Sequence, residues 1–117
     1  IEPADTMLYA DRALMSQVFV NLLKNATEAL LEQEGERKIT IRSTIDAEER
    51  IQIEITNNGS AIPAEVAENI FTPFFTTKTD GSGIGLAVSR QIIRLHGGTL
   101  RLKHNDEGRV TFAMVME

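Results

Sequence analysis

Gly81-Ser82-Gly83-Ile84-Gly85-Leu86 runs into a helical stretch. Three alternating glycines let a backbone approach a bulky anion closely. A helix behind them supplies free N–H groups and a positive dipole end, which together suit phosphate. The spacing is not the dinucleotide fingerprint, because the sixth position is Leu86, and no Gly-Lys-Ser/Thr follows as in a P-loop. A flexible linker entering a helix is the alternative. The helix is expected over residues 84–96, with Ile84, Val88, Ile92 and Leu95 on one face and Gly97-Gly98 ending it.

Upstream lies a segment of poor periodicity, residues 62 to about 82. It holds a short helical piece near residues 64–69, three phenylalanines (Phe71, Phe74, Phe75) and the polar run Thr76-Thr77-Lys78-Thr79-Asp80. So long a loop in a small domain is more often functional than idle. Before it, Ile39, Ile41 and Ile45 alternate with polar residues, as do Ile51, Ile53 and Ile55, with a turn at residues 46–49. Asn57 keeps the parity of Ile51, Ile53 and Ile55, so it points to the inner face of the sheet. An inward amide there suits the edge of a base; a polar strand end before an Asn-Gly turn is the alternative.

A first helix is expected over residues 11 to about 33, with Asp11 as N-cap and Gly35 as its stop. Its apolar positions are Leu14, Met15, Val18, Phe19, Leu22, Leu23, Ala26, Ala29 and Leu30. Asn25 falls inside that arc and Asn21 at its edge, one turn earlier. A buried asparagine without partners costs about 1–3 kcal/mol. Amide oxygens are acceptable donors for Mg²⁺, and a bond to a neighbouring strand is the alternative. At the other end, Leu100 and Leu102 open a strand, Asn105-Asp106-Glu107-Gly108 turns it, and Val110, Phe112, Met114 and Met116 line the last one. Strands and helices mixed in this way suggest a two-layer α/β sandwich on a mixed sheet.

The chain's 117 residues suit one domain, residues 1–117. Apolar residues at 42% and charged residues at 25% allow a packed core. A net charge of −5 argues against a nucleic-acid surface, which needs clustered Lys and Arg. It leaves room for an anion held by uncharged backbone N–H groups. The absence of cysteine removes disulfides, thiolate zinc sites and cysteine nucleophiles. No apolar run reaches the roughly 18 residues of a membrane span, and no signal peptide is visible. Opening on Ile1-Glu2-Pro3 marks the sequence as an expected fragment of a longer chain.

In this order and spacing, these features resemble the ATPase fold shared by gyrase, heat-shock chaperones, histidine kinases and mismatch-repair proteins. Asn21-Leu22-Leu23-Lys24-Asn25-Ala26 resembles its N box, and Asn57-Asn58-Gly59-Ser60-Ala61-Ile62-Pro63 its G1 box. Phe71-Thr72-Pro73-Phe74-Phe75-Thr76-Thr77-Lys78 resembles the F box, and Gly81–Leu86 the G2 box. Leu95-His96-Gly97-Gly98 also recurs in histidine kinases. The resemblance implies an α+β, Bergerat-type sandwich, with a mixed, mostly antiparallel sheet of about five strands packed on three helices. It implies ATP as ligand, with Asn25 chelating Mg²⁺, Asn21 contacting phosphate and residues 63–82 forming an ATP lid. Gly81, Gly83, Gly85 and Leu86 would cradle phosphates, flanked by Ser82 and Ile84, while Lys78 would reach the terminal phosphates. Further nucleotide contacts are implied for Asn57, Gly59, Ala61 and Ile62, and for Phe75 and Thr77.

Gyrase-like and chaperone-like ATPases carry a glutamate where Asn21 stands, the base that activates water. An amide has no such role, which favours a domain that keeps ATP for transfer. Asn21 and Lys78 are the residues assigned to that chemistry. The expected acceptor is a histidine on an upstream dimerisation domain of the same protein, with a response regulator further downstream. No nucleic acid or membrane contact is expected of this fragment, and a cytoplasmic location is, whether or not the parent protein is anchored in a membrane. His96 and His104 are the only histidines, and neither lies in a phosphoacceptor-type motif. Two positions depart from the family: Asn57 replaces the usual aspartate and Ala61 a usual glycine. These keep a degenerate nucleotide-binding module open as a reading, beside a true ATPase and an anti-sigma-type serine kinase.

Overall fold

The computed structural model describes residues 2–31, 33–73 and 85–116. Helix α1 (Glu2–Ala29) is followed by β1 (Ile39–Ile45), β2 (Ile51–Asn57), a short α2 (Ala64–Ala67), α3 (Gly85–Leu95), β3 (Thr99–Asp106) and β4 (Arg109–Met116). The sheet order is β1-β2-β4-β3, and every pairing is antiparallel. The two-layer α+β architecture with three helices is as expected. Among the described residues the sheet has four strands rather than about five, and none is parallel. Two hairpins account for that: each is antiparallel by construction, and they meet through β2 and β4.

The turn between β1 and β2 is organised by Asp46. Its carboxylate accepts the backbone N–H groups of Glu48 and Arg50 and the Arg50 Nε at 2.9 Å. The β3–β4 hairpin closes on Glu107-Gly108, where Gly108 takes φ 82°.

Helix α1 begins nine residues before the expected Asp11, which lies in its interior rather than at its start. Nothing between Pro3 and Asp11 breaks a helix, and Pro3 sits in the first turn, where its missing N–H costs little. The helix stops at Ala29, short of the expected end. Leu30 and Leu31 make tight three-residue turns onto Thr27 and Glu28, and Arg37 bonds the carbonyls of Leu31 and Gln33. Gly35, at φ 85°, belongs to the following loop.

Both long helices pack on one face of the sheet. Val18, Leu22 and Ala26, four residues apart, form the buried line of α1, and buried Leu30 continues it just past the helix end. Val18, Leu22 and Ala26 meet Ile92 and Ile93 of α3 and Ile55, Leu100, Val110, Phe112 and Met114 of the sheet. Leu95 is not on the buried face of α3, as expected, but 75% exposed; Ser89 takes a place in the core instead. The inner face of β1 carries Ile39, Ile41 and Ile45 yet stays exposed, because the helices cover β2, β4 and β3.

Helix α3 ends in a tight reversal. The Gly98 N–H reaches back to the Ile93 carbonyl at 2.9 Å and Gly97 takes φ 78°. A Cβ on Gly98 would lie 2.3 Å from the Val115 carbonyl oxygen, so only glycine lets α3 run this close to β4. His96 bonds the Ile92 carbonyl through Nδ1 at 2.7 Å, a capping role in the last turn.

Candidate nucleotide site

The site lies along one edge of α1. Asn57 is buried at the end of β2 on the inner face, as its parity requires. Its Oδ1 accepts the Gly59 N–H at 2.9 Å, which turns the chain sharply. This turn sits against the end of α1. A Cβ on Gly59 would come within 3.2 Å of the Ala29 carbonyl oxygen and 3.3 Å of Leu30. Asn58 faces the other way, holding Glu36 and Lys38 of the preceding loop.

The next residues are pinned by the β3–β4 turn. Asn105 accepts the Ile62 N–H at 2.7 Å and donates to the Ile62 carbonyl at 2.8 Å. Glu107 accepts the Ala61 N–H at 3.3 Å, and the Gly108 N–H donates to the Gly59 carbonyl. So the Ala61 and Ile62 backbone donors are taken by the protein. Asn105 and Glu107 were not singled out in the sequence, where they read as turn residues; their partners lie more than forty positions away.

At the opposite end of the same helix edge, Asn21 meets α3. Its Nδ2 donates to the Gly85 carbonyl at 3.2 Å and to the Ser89 hydroxyl at 3.1 Å, and its Oδ1 accepts from Gln17 at 2.9 Å. The two acceptors lie 2.9 Å from one another, so the amide nitrogen is turned onto α3, while Oδ1, bonded once, keeps a lone pair. Asn25, one turn on, is half-buried, and no hydrogen bond joins its side chain to any described residue. Hard amide oxygens are suitable Mg²⁺ donors, since Mg²⁺ takes few protein ligands beside phosphate oxygens. Asn25 and the free lone pair of Asn21 Oδ1 fit such an ion.

Gly85 and Leu86 stand in the first turn of α3. Phe75, Thr77, Lys78, Gly81, Ser82, Gly83 and Ile84 lie outside the described residues. Of the expected lid, residues 63–73 are described. Phe71 packs edge-on against Phe112 at 6.1 Å and lies under the Arg90 guanidinium at 4.5 Å, docking this segment on the core. A recess of about 430 Å³ opens beyond it, among Phe71, Pro73, Val88 and Arg94. The carboxyls held below their usual range lie elsewhere. Glu54, lowered chiefly by its bond from Lys103, is on the outer face of β2, and Asp46, lowered chiefly by the Arg50 N–H, is in the β1–β2 turn.

An amide-lined helix edge thus runs between a glycine turn and a helix start, in the order of the N, G1 and G2 boxes. The sequence profile of the family described as histidine kinase-, DNA gyrase B- and HSP90-like ATPase matches residues 10–117, and the chain belongs to that family. Sensor protein FixL of Bradyrhizobium diazoefficiens is 38% identical over 99% of this chain, which spans 23% of FixL. Sensory histidine kinase/phosphatase NtrB of Rhizobium leguminosarum bv. phaseoli is 38% identical over 98% of the chain, 33% of its own length. The catalytic domain of histidine kinase ThkA, solved nucleotide-free, is 39% identical, with TM-score 0.75 over 91% of this chain and 67% of that one. Within the family, this chain corresponds to the ATP-binding catalytic domain of sensor histidine kinases. Among the described residues no helix is long and apolar enough to cross a membrane.

Proposed function

We propose that this domain binds Mg-ATP along the α1 edge and donates the γ-phosphate to a histidine on a separate helical dimerisation domain. One observation carries the reading. Asn21 touches the start of α3 at Gly85, Ala29 abuts the Gly59 turn, and Asn25 lies between, all on one helix edge. Eight residues of helix rise separate the two ends by roughly 12 Å, a span suited to a nucleotide triphosphate. The base end lies at Asn57 and Gly59. The phosphate end lies at Gly85, where the first turn of α3 presents N–H groups and its positive dipole.

Asn25 and Asn21 would hold the Mg²⁺, which supplies charge neutralisation between phosphate oxygens. The chain's own contribution is positioning. The Asn57–Gly59 turn seats the base, and the start of α3 orients the phosphates for in-line attack by an external nucleophile. Asn21 lacks a proton-accepting group, so water is poorly activated and the phosphate is kept for transfer. The docked Phe71 segment begins the lid, and Lys78 is assigned to the terminal phosphates. The downstream partner would be a response regulator.

The test is to mix the chain, γ-labelled ATP and a histidine-bearing dimerisation domain taken from the parent protein. Acid-labile label is expected on the added domain and none on this chain. Label accumulating on His96 or His104 would contradict the reading. A nucleotide-binding module without catalysis is favoured by Asn57 and Ala61; binding of ATP with no transfer to the added domain would select it.

A further inference from the structure

Ser89 is a polar side chain in an otherwise apolar helix face. It is fully buried between Leu86 and the core pair Ile92 and Ile93. Its hydroxyl has one proton, which it gives to the Gly85 carbonyl at 2.9 Å. That leaves the Oγ lone pairs turned toward Asn21, whose Nδ2 donates to it at 3.1 Å. Nδ2 also donates to the same Gly85 carbonyl, at 3.2 Å. We infer that Ser89 is a positioning residue of the nucleotide site: it locks the Asn21 amide in one orientation and ties the first turn of α3 to α1. The inference rests on the nucleotide reading given above.

The lock follows from donor and acceptor counting. With the amide turned over, Oδ1 would face the Gly85 carbonyl and the Ser89 Oγ, and three oxygens would share the single Ser89 proton, leaving one carbonyl without a donor from this group. In the observed orientation Nδ2 satisfies both, and Oδ1 points to Gln17 with a lone pair to spare. Ser89 thereby holds the Asn21 amide nitrogen toward α3 and its oxygen toward Gln17. It also fixes Gly85, the last residue of the glycine-rich run. Neither effect requires Ser89 to touch the nucleotide.

Replacing Ser89 with alanine removes the acceptor and the donor while keeping a small, buriable side chain. ATP and adenosine affinities are to be measured on the native chain, Ser89→Ala and Ser89→Thr, beside thermal melts. Adenosine has a base but no phosphates, so it reports on the Asn57 end alone. Ser89→Ala is expected to weaken Mg-ATP binding roughly tenfold, the loss of about one hydrogen bond. Adenosine binding should be unchanged, and Ser89→Thr, which keeps the hydroxyl, should restore most of the ATP affinity. The Asn21 side-chain amide protons should also exchange faster in Ser89→Ala without any ligand. Equal ATP affinity for native and Ser89→Ala overturns the inference, as does equal weakening of ATP and adenosine, which marks a merely structural role. A native chain that binds no ATP overturns the reading beneath it instead.

Discussion

Asn57 is the residue whose chemistry departs furthest from the family pattern, and the structure sharpens what that departure does. Its oxygen accepts the Gly59 N–H and keeps one lone pair, and its amide nitrogen is a donor that an aspartate would lack. An aspartate would bond Gly59 with one oxygen and keep the other as an acceptor for the adenine amino group. Asn57→Asp is therefore expected to tighten ATP binding by about 1 kcal/mol and to raise the ATP-to-GTP preference, because charge-assisted bonds are stronger than neutral ones. Titration of both nucleotides into both forms checks this; an unchanged ratio would mean that Asn57 does not read the base. Ser89 is a second polar break in an apolar helix face. Ser89 interrupts the stripe of Leu86, Ile92 and Ile93 just as Asn25 interrupts that of α1, yet serine is common enough on helices to go unremarked.

Elements matter here by how they hold one another. The β3–β4 turn steadies the segment after Asn57 through Asn105, which both donates to and accepts from Ile62. Asn105→Ala breaks two bonds to a half-buried backbone and should cost about 1–3 kcal/mol. Its effect on nucleotide binding should appear for adenosine as well as ATP, the reverse of the Ser89→Ala pattern; calorimetry with the two ligands distinguishes them. Where α3 meets β4, Gly98→Ala would set a methyl against the Val115 carbonyl, a backbone atom that cannot swing aside. A loss of at least about 2 kcal/mol in denaturant unfolding is expected. Strand positions and α3 were legible because period-2 and period-3.6 patterns are local properties. The ends of α1 were not: its start depends on the absence of breakers upstream, and its end on Arg37, which reaches back to the Leu31 and Gln33 carbonyls.

Over the whole molecule the two faces of the sheet divide the work. The inner face carries the core and Asn57, and the outer face carries the pair of Glu54 and Lys103, with Gln52 also donating to Glu54. Lys103 is the chief cause holding the Glu54 carboxyl below its ordinary value of 4.5. A carboxyl depressed in the folded state adds stability that is full above the unfolded value and lost as pH falls through the folded one. Glu54→Gln should therefore flatten the decline in melting temperature from about pH 6 to about pH 3, read by scanning calorimetry at fixed ionic strength. A decline as steep as the native chain's would show that this pair does not set the acid limit. What the sequence determined by itself was the α+β class, the strands, α3, the inward Asn57 and the four boxes with their order. Each rests on local periodicity, or on glycine and amide positions read in series. The sheet order, the pinning of Ala61 and Ile62 by the β3–β4 turn, and the turning of the Asn21 amide nitrogen onto α3 were decided only by tertiary structure. Those contacts join residues 43 to 68 positions apart, and a hydrogen bond's direction depends on which acceptor the fold brings within reach.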